Sequence, residues 1–233
     1  NFVGMAGQGN TFTDFGGLVS NTVMIAETNQ RGFRVNSNTI TGGTGSTGEV
    51  TGIRMNSGVW GEAIDNNITL TSSSTTSPVI GISVGFSGGN ATNPNIVTIT
   101  GNTIQGYTNT AATTGTFTGI TSGSGGTGSN VTISNNTVKD IQHQGTGTFT
   151  AIANTAGGGT LNMNGNLVRN ITRNTGASGT VNLVTNSGAI TTTLNMNNNM
   201  IGDATAGAIT WSVANSGTLT GVGNSGASAT CNL

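Results

Sequence analysis

Asp140, Asn170 and Asp203 are the side chains whose spacing could form a metal site. Each follows a recurring asparagine by four residues, so a stacked fold would place them along one edge, roughly 5 Å apart per layer. Carboxylate and amide oxygens are the ligands that Ca²⁺ takes in proteins. Glycine stands at the same place in other repeats, at Gly42 and Gly106, and this residue set is typical of a turn. We therefore favour a turn, expect no cofactor, and keep calcium as the alternative.

The basic side chains and the single histidine add no catalytic group to this edge. Lys139 and Arg169 come one residue earlier in adjacent repeats, where a solvated edge with weak ion pairs is the simplest interpretation. His143 has no nucleophile and acid placed for a triad, and we expect it in a surface loop.

The carboxylates give no sign of a hydrolytic centre. The chain has four aspartates and three glutamates, and no two of them form an Asp-Asp or Asp-x-Asp unit. Glycoside hydrolysis requires a close carboxylate pair. We therefore expect no enzymatic activity in this segment. The alternative is a non-catalytic portion of a polysaccharide lyase or hydrolase.

The feature that organises the chain is Gly-Asn-Thr, or a close relative of it, at intervals of 28 to 35 residues. Self-similarity at such a period indicates a solenoid, a propeller or an array. Asparagine tolerates turn conformations, and stacked amides can form a hydrogen-bonded ladder. The sequence predicts an internal ladder of Asn10, Asn38, Asn67, Asn102, Asn136, Asn166 and Asn199.

Composition excludes several functional classes. Only 6% of the 233 residues are charged and the net charge is −1, so there is no basic field for nucleic acid. No apolar run approaches the roughly 18 residues of a transmembrane helix, and we expect no membrane insertion by this segment. Gly, Asn, Thr and Ser are poor helix formers, whereas Thr, Val and Ile favour strands.

Each repeat contains two apolar strands and two turn regions. The first strand alternates, as in Val97-Thr98-Ile99, and the second follows a Gly/Thr/Ser-rich loop, as in Phe117-Thr118-Gly119-Ile120. The pattern predicts an all-β fold, a right-handed parallel β-helix of about seven coils of roughly 30 residues each, as one domain over residues 1–233. Thr230-Cys231-Asn232 matches the start of another repeat, so we expect a fragment of a longer array.

The recurring unit, two alternating apolar residues followed by asparagine and one further apolar residue, resembles the β-helix repeat of pectin-lyase-like proteins. Its Gly/Thr/Ser-rich form is similar to secreted and cell-surface repeat proteins of Bacteroidota-type bacteria, including adhesins. This resemblance implies an extracellular or cell-surface location and a structural or adhesive role. The implied partners are surface glycans or other cell-surface and secretion proteins, with a type IX sorting domain beyond Leu233.

A second hypothesis is a carbohydrate- or ice-binding face. Thr-x-Thr runs occur at Thr116-Phe117-Thr118 and Thr148-Phe149-Thr150, and regular threonine ranks resemble ice-binding surfaces. The asparagines that interrupt such pairs predict that the ranks do not continue through every coil; they are Asn162, Asn182 and Asn195. Aromatic rings that could stack on sugars are Trp60, Tyr107 and Trp211, of which Trp211 is better interpreted as core packing.

Overall fold

The chain folds into a parallel β-solenoid of about six turns. A computed structural model describes residues 1–17, 20–28, 30–87, 89–109, 114–173, 179–204, 209–211 and 216–232. Leu233, the last residue of the predicted domain, lies outside this part. Within it the chain forms no helix, and the strands named below pair in parallel in three sheets.

Sheet I contains the strands that precede the recurring asparagine: β1 (Phe2–Val3), β4 (Gly32–Asn36), β7 (Trp60–Ile64), β10 (Ile96–Thr100), β13 (Gly126–Ser134), β16 (Gly158–Asn162), β19 (Ile190–Asn195) and β23 (Cys231–Asn232). Sheet II contains the strands that follow it: β2 (Thr11–Phe15), β5 (Thr39–Gly42), β8 (Asn67–Leu70), β11 (Thr103–Gln105), β14 (Thr137–Gln142), β17 (Leu167–Arg173), β20 (Met200–Ile201) and β21 (Ile209–Trp211). Sheet III is built from β3 (Thr22–Thr28), β6 (Val50–Asn56), β9 (Val79–Gly85), β12 (Phe117–Ser122), β15 (Phe149–Asn154), β18 (Val181–Asn186) and β22 (Leu219–Asn224).

A full coil therefore contributes three strands, one more than the sequence predicts. The additional strand is the short apolar segment after the asparagine: Thr103-Ile104-Gln105 pairs with Asn67-Ile68-Thr69 on one side and with Thr137-Val138-Lys139 on the other. In β11 this segment has only three residues, too few to display a two-residue period, and in the longer β14 and β17 a left-handed residue interrupts the alternation. The count of coils is also lower than the predicted seven, because seven asparagine positions delimit only six turns.

The interior consists of columns of like residues, one from each coil. Sheet II places a column of β-branched residues inside, and all are buried: Ile40, Ile68, Ile104, Val138 and Val168. Sheet III does the same with Ile53, Ile82, Ile120, Ile152 and Val184. Each fully buried aliphatic side chain contributes roughly 1.5–3 kcal/mol of transfer free energy, so the columns form one continuous core.

Glycine allows sheet III to approach sheet II closely. A Cβ added at Gly81 would lie 2.4 Å from the carbonyl oxygen of Gly119 and 3.0 Å from the side chain of Ile104. Gly52 and Gly119 hold the equivalent position in the neighbouring strands, facing Ile68 and Val138. A larger side chain at these three positions would collide with the neighbouring strand of sheet III and press against sheet II.

Candidate functional site

The most extensive polar arrangement is an asparagine ladder at the corner between sheets I and II. Asn102 shows one rung: its Oδ1 accepts from the backbone N of Asn66 at 3.0 Å and from Asn66 Nδ2 at 2.9 Å. Its Nδ2 donates to Asn136 Oδ1 at 3.0 Å and to the carbonyl of Ala63 at 2.8 Å. The amide thus joins three consecutive coils, and the same bonds recur from Asn10 to Asn199.

A residue with positive φ precedes the asparagine in six coils, and this residue sets the corner. These residues are Ser37, Asp65, Gly101, Asn135, Gly165 and Asn198, with φ between 55° and 70°. Only Gly, Asn, Asp and, less often, other small polar residues adopt this left-handed conformation at low cost. The corner therefore needs a small turn-forming residue followed by the buried asparagine.

Asn67 was predicted to belong to the ladder, and this prediction is wrong. Asn66 holds the ladder position, where it is 1% exposed, donates to Val35 O at 2.7 Å and accepts from Asn38. Asn67 is exposed at the start of β8, where its Oδ1 accepts from Gln105 Nε2 at 2.9 Å. Asp65 takes the left-handed turn position, so the asparagine directly after it must be the internal one.

A second ladder, which the sequence analysis missed, lies at the end of sheet III. Asn154 Nδ2 donates to Asn186 Oδ1 at 2.7 Å, and Asn186 Nδ2 donates to Asn224 Oδ1 at 2.8 Å. Each of the three also donates to the carbonyl two residues later, at 2.8 to 2.9 Å. The signal in the sequence was available: all three are followed by Ser or Thr and then by Gly or Ala.

A third ladder, also of three asparagines, runs along the outer face of sheet I. Asn195 Nδ2 donates to Asn162 Oδ1, and Asn232 Nδ2 donates to Asn195 Oδ1, both at 2.7 Å. On the same face Arg34 pairs with Glu62 at 2.9 Å and covers the ring of Trp60, with its guanidinium carbon 4.7 Å from the ring centroid. At these positions the outward polar groups of sheet I therefore bind one another.

The proposed calcium ligands do not converge their oxygens. Asn170 turns its amide nitrogen toward Asp140, with an Nδ2 to Oδ1 distance of 2.6 Å. Lys139 lies 3.5 Å from the other oxygen of Asp140, and Arg169 lies 3.3 Å from Asp203 Oδ2. Asp140 and Asn170 have φ of 55° and 51°, a left-handed conformation inside β14 and β17 at which the pairing of the two strands skips one residue. Among the described residues, His, Cys, Asp and Glu form no group of three that could hold a metal ion.

His143 lies in the core and not in the expected surface loop. Its ring is fully buried between Tyr107 and Phe149, at centroid distances of 6.4 and 6.0 Å. Nε2 lies 3.1 Å from the carbonyl oxygen of Gly115. The pKa of His143 is lowered to about 4, chiefly by burial and also by the positive charge of Arg173, while the bond to Gly115 raises it. The histidine is therefore neutral at pH 7.

His143 belongs to a buried polar column at the corner between sheets II and III. Its backbone neighbours in register are Asn109 in the preceding coil and Arg173 in the following one. Arg173 is 3% exposed and donates through Nη2 to the carbonyls of Gly145 at 2.7 Å and Gly147 at 3.2 Å. Burial lowers the pKa of Arg173 as well. The available signal was that His143 continues the alternation of β14 two residues after the buried Ile141.

The three aromatic candidates have different environments. Tyr107 is buried and stacks on Phe117 with centroids 5.0 Å apart, so its ring is unavailable to a ligand. Trp211 is partly buried against the core, in agreement with the packing interpretation. Trp60 is half-buried on the outer face of sheet I, beside an open groove of about 490 Å³ that Val59, Pro94 and Ile96 also line.

Threonines form two regular rows on the outer face of sheet III. The first row contains one threonine from each of four consecutive coils: Thr116, Thr148, Thr180 and Thr218. Backbone bonds fix this order, since Phe117 N donates to Thr148 O, Phe149 N to Thr180 O and Val181 N to Thr218 O, at 2.8 to 3.0 Å. In the second, Thr118, Thr150, Asn182 and Thr220 are register partners. Only Asn182 interrupts these rows, since Asn162 and Asn195 lie on sheet I. Ile80 is the register partner of Thr118 in the preceding strand, so the rows do not continue through every coil, as the sequence predicts.

The fold and these geometries define the chain as a parallel β-solenoid with internal asparagine ladders. Comparison of the chain with protein-family models, with curated proteins and with solved structures gives no match. The described residues contain no helix that is long and apolar enough to cross a membrane.

Proposed function

We propose that this chain is a non-catalytic, structural and adhesive segment of a large secreted or cell-surface repeat protein, of the kind found among pectin-lyase-like β-helices and bacterial surface adhesins. The observation that carries the proposal is the continuity of the interior. Hydrophobic columns and the asparagine ladder between sheets I and II run from the first coil to the last, with one residue contributed by each turn. A repeat array stabilised by nearest-neighbour contacts suits a rigid spacer that extends by repetition.

The surface chemistry supports the same role. Six turns at the roughly 4.8 Å strand spacing give a rod about 30 Å long with very few charges on it. Several carboxylates serve ion pairs: Glu49 with Arg54, Glu62 with Arg34, and Asp203 with Arg169. Surface glycans or other cell-surface proteins are the partners that suit such an uncharged hydroxyl- and amide-rich exterior.

Removal of one whole coil tests the spacer function. Deletion of residues 39–66 removes β5, β6 and β7, one strand from each sheet, and joins Asn38 to Asn67 so that the ladder continues with Asn102. We expect a cooperatively folded protein that is shorter by about 4.8 Å. The distance can be measured by pulsed electron paramagnetic resonance between labels on the exposed native Cys231 and on a Thr11→Cys variant.

The matched control deletes half a coil, residues 53–66, which removes part of β6 and all of β7 and joins the middle of a sheet III strand to the start of β8 in sheet II. We expect that variant to be unfolded. If both deletions unfold the chain, the proposal of a modular spacer is wrong. If the intact protein cleaves uronic-acid polymers, the polysaccharide-enzyme alternative replaces the proposal.

A further inference from the structure

A shallow groove runs along the outer face of sheet III, over the last four strands of that sheet. It encloses a volume of about 450 Å³, and its floor consists of the threonine row of Thr118, Thr150 and Thr220 and a parallel row that includes Thr121, Ala153 and Thr185. One wall is formed by Thr155, Ser187 and Ser225, which lie just beyond the second asparagine ladder. The groove follows the solenoid axis, and each coil contributes one residue to each row, with Asn182 and Ala153 among the threonines.

The hydroxyl groups on the floor are available to a ligand. Within the described part of the chain, the side chains of Thr118, Thr121, Thr150, Thr185 and Thr220 make no hydrogen bond to other protein atoms. The wall differs, since Thr155 Oγ1 donates to Ser122 O at 3.3 Å and Ser225 Oγ donates to Asn186 O at 3.4 Å. The outer face of sheet I differs too, because Asn162, Asn195 and Asn232 bond to one another there.

The described residues that line the groove include no ionisable side chain. A ligand that carries charge would therefore lose hydration without a compensating ion pair. A chain of uncharged sugar rings supplies hydroxyl donors and acceptors at regular intervals. These complement the threonine hydroxyls of the groove, which lie one strand apart, about 4.8 Å, at Thr118 and Thr150, and two strands apart at Thr121 and Thr185. The concave shape of the groove fits a polymer chain better than the flat surface of an ice crystal.

We propose that this groove binds an uncharged polysaccharide whose chain lies along the solenoid axis. The inference rests on the proposed adhesive function and gives it a ligand class and a location. The threonine hydroxyls donate to and accept from the sugar hydroxyls, while the threonine methyl groups and Ala153 contact the apolar faces of the rings.

Threonine-to-valine substitution tests the inference, because valine keeps the shape and strand preference of threonine and removes only the hydroxyl. The test variant is Thr118→Val/Thr150→Val/Thr185→Val in the full chain. The matched control is Thr98→Val/Thr132→Val, which removes hydroxyls from the outer face of sheet I. An Ala153→Gln variant fills the groove floor without adding charge. Affinity gel electrophoresis with soluble β-glucan, mannan and xylan provides the measurement, with polygalacturonate as the charged comparison.

We expect retardation by at least one neutral polymer, a loss of affinity of about tenfold or more in the triple variant and in Ala153→Gln, and unchanged affinity in the sheet I control. No retardation by any neutral polymer, equal binding by the triple variant, or preference for polygalacturonate overturns the inference. Thermal hysteresis that disappears in the triple variant overturns it in favour of ice binding. None of these outcomes affects the coil deletion, so failure of the groove and failure of the spacer function are distinguishable.

Discussion

Replacement of Asn66 by alanine is expected to lower the free energy of unfolding by about 3 to 4 kcal/mol, because it leaves several buried polar groups without partners at roughly 1–3 kcal/mol each. Asn38 loses the acceptor for its backbone N and for its Nδ2, both at 3.0 Å, and Val35 O loses a donor at 2.7 Å. Water cannot easily replace these bonds, since Asn38 and Asn66 are each 1% exposed. Urea denaturation followed by circular dichroism measures the change.

The neighbouring substitution Asn67→Ala is the matched control. Asn67 has the same chemistry one residue later, but its side chain is exposed and bonds only to Gln105. Surface changes of this kind usually alter stability by less than about 0.5 kcal/mol. Equal effects of the two substitutions, or a larger effect at Asn67, would place the ladder where the sequence alone predicted it and would contradict the register of the third coil.

Acidification is expected to destabilise the protein through His143, by about 3 kcal/mol in total. Its pKa is about 4 in the folded chain against 6.5 for the unperturbed group. Above pH 6.5 the imidazole is neutral in both states and the full stability is present. As pH falls from 6.5 to 4 the unfolded chain takes up a proton that the folded chain does not, and each unit of pKa difference costs about 1.4 kcal/mol.

The other charged group against this ring is Arg173, which stays positive over this range, and the aromatic neighbours Tyr107 and Phe149 stay neutral. His143→Asn is the appropriate control, because asparagine holds the equivalent position in the preceding coil at Asn109. Stability measured by denaturant unfolding at pH 7, 6, 5 and 4 should fall more steeply in the native protein than in the variant. Parallel pH profiles would show that the histidine is not buried as described.

The repeat and the parallel stacking could be predicted from sequence because both depend on residue types that recur in phase. A buried asparagine after a left-handed residue has few substitutes, so Asn102 and Asn136 stand out in the sequence. Asn66 was mistaken for its neighbour because three polar residues, Asp65, Asn66 and Asn67, meet at that corner. The apolar residue two positions after each ladder asparagine, as in Ile68 and Ile104, would have fixed the choice.

Other features depend on how coils of unequal length close, and a single sequence does not reveal this. The lengths of the corner loops decide whether Thr98 and Thr118 lie on the same face of the solenoid. The structure places Thr98 on sheet I and Thr118 on sheet III. Burial of His143 likewise follows from the corner that carries it inward, next to Arg173. The Asn154 ladder was missed although its three members share a local pattern, because that pattern recurs only in the last coils.

Hydrogen exchange of asparagine side-chain amides tests the stacked register most directly. In the ¹⁵N-labelled protein, the Nδ2 protons of Asn38, Asn66, Asn102, Asn136 and Asn166 should exchange at least about 100-fold more slowly than those of Asn67, because exchange at the buried rungs requires opening of the coil. Uniform and rapid exchange at all of these amides would contradict the claim that each coil lies on its predecessor through a continuous internal ladder.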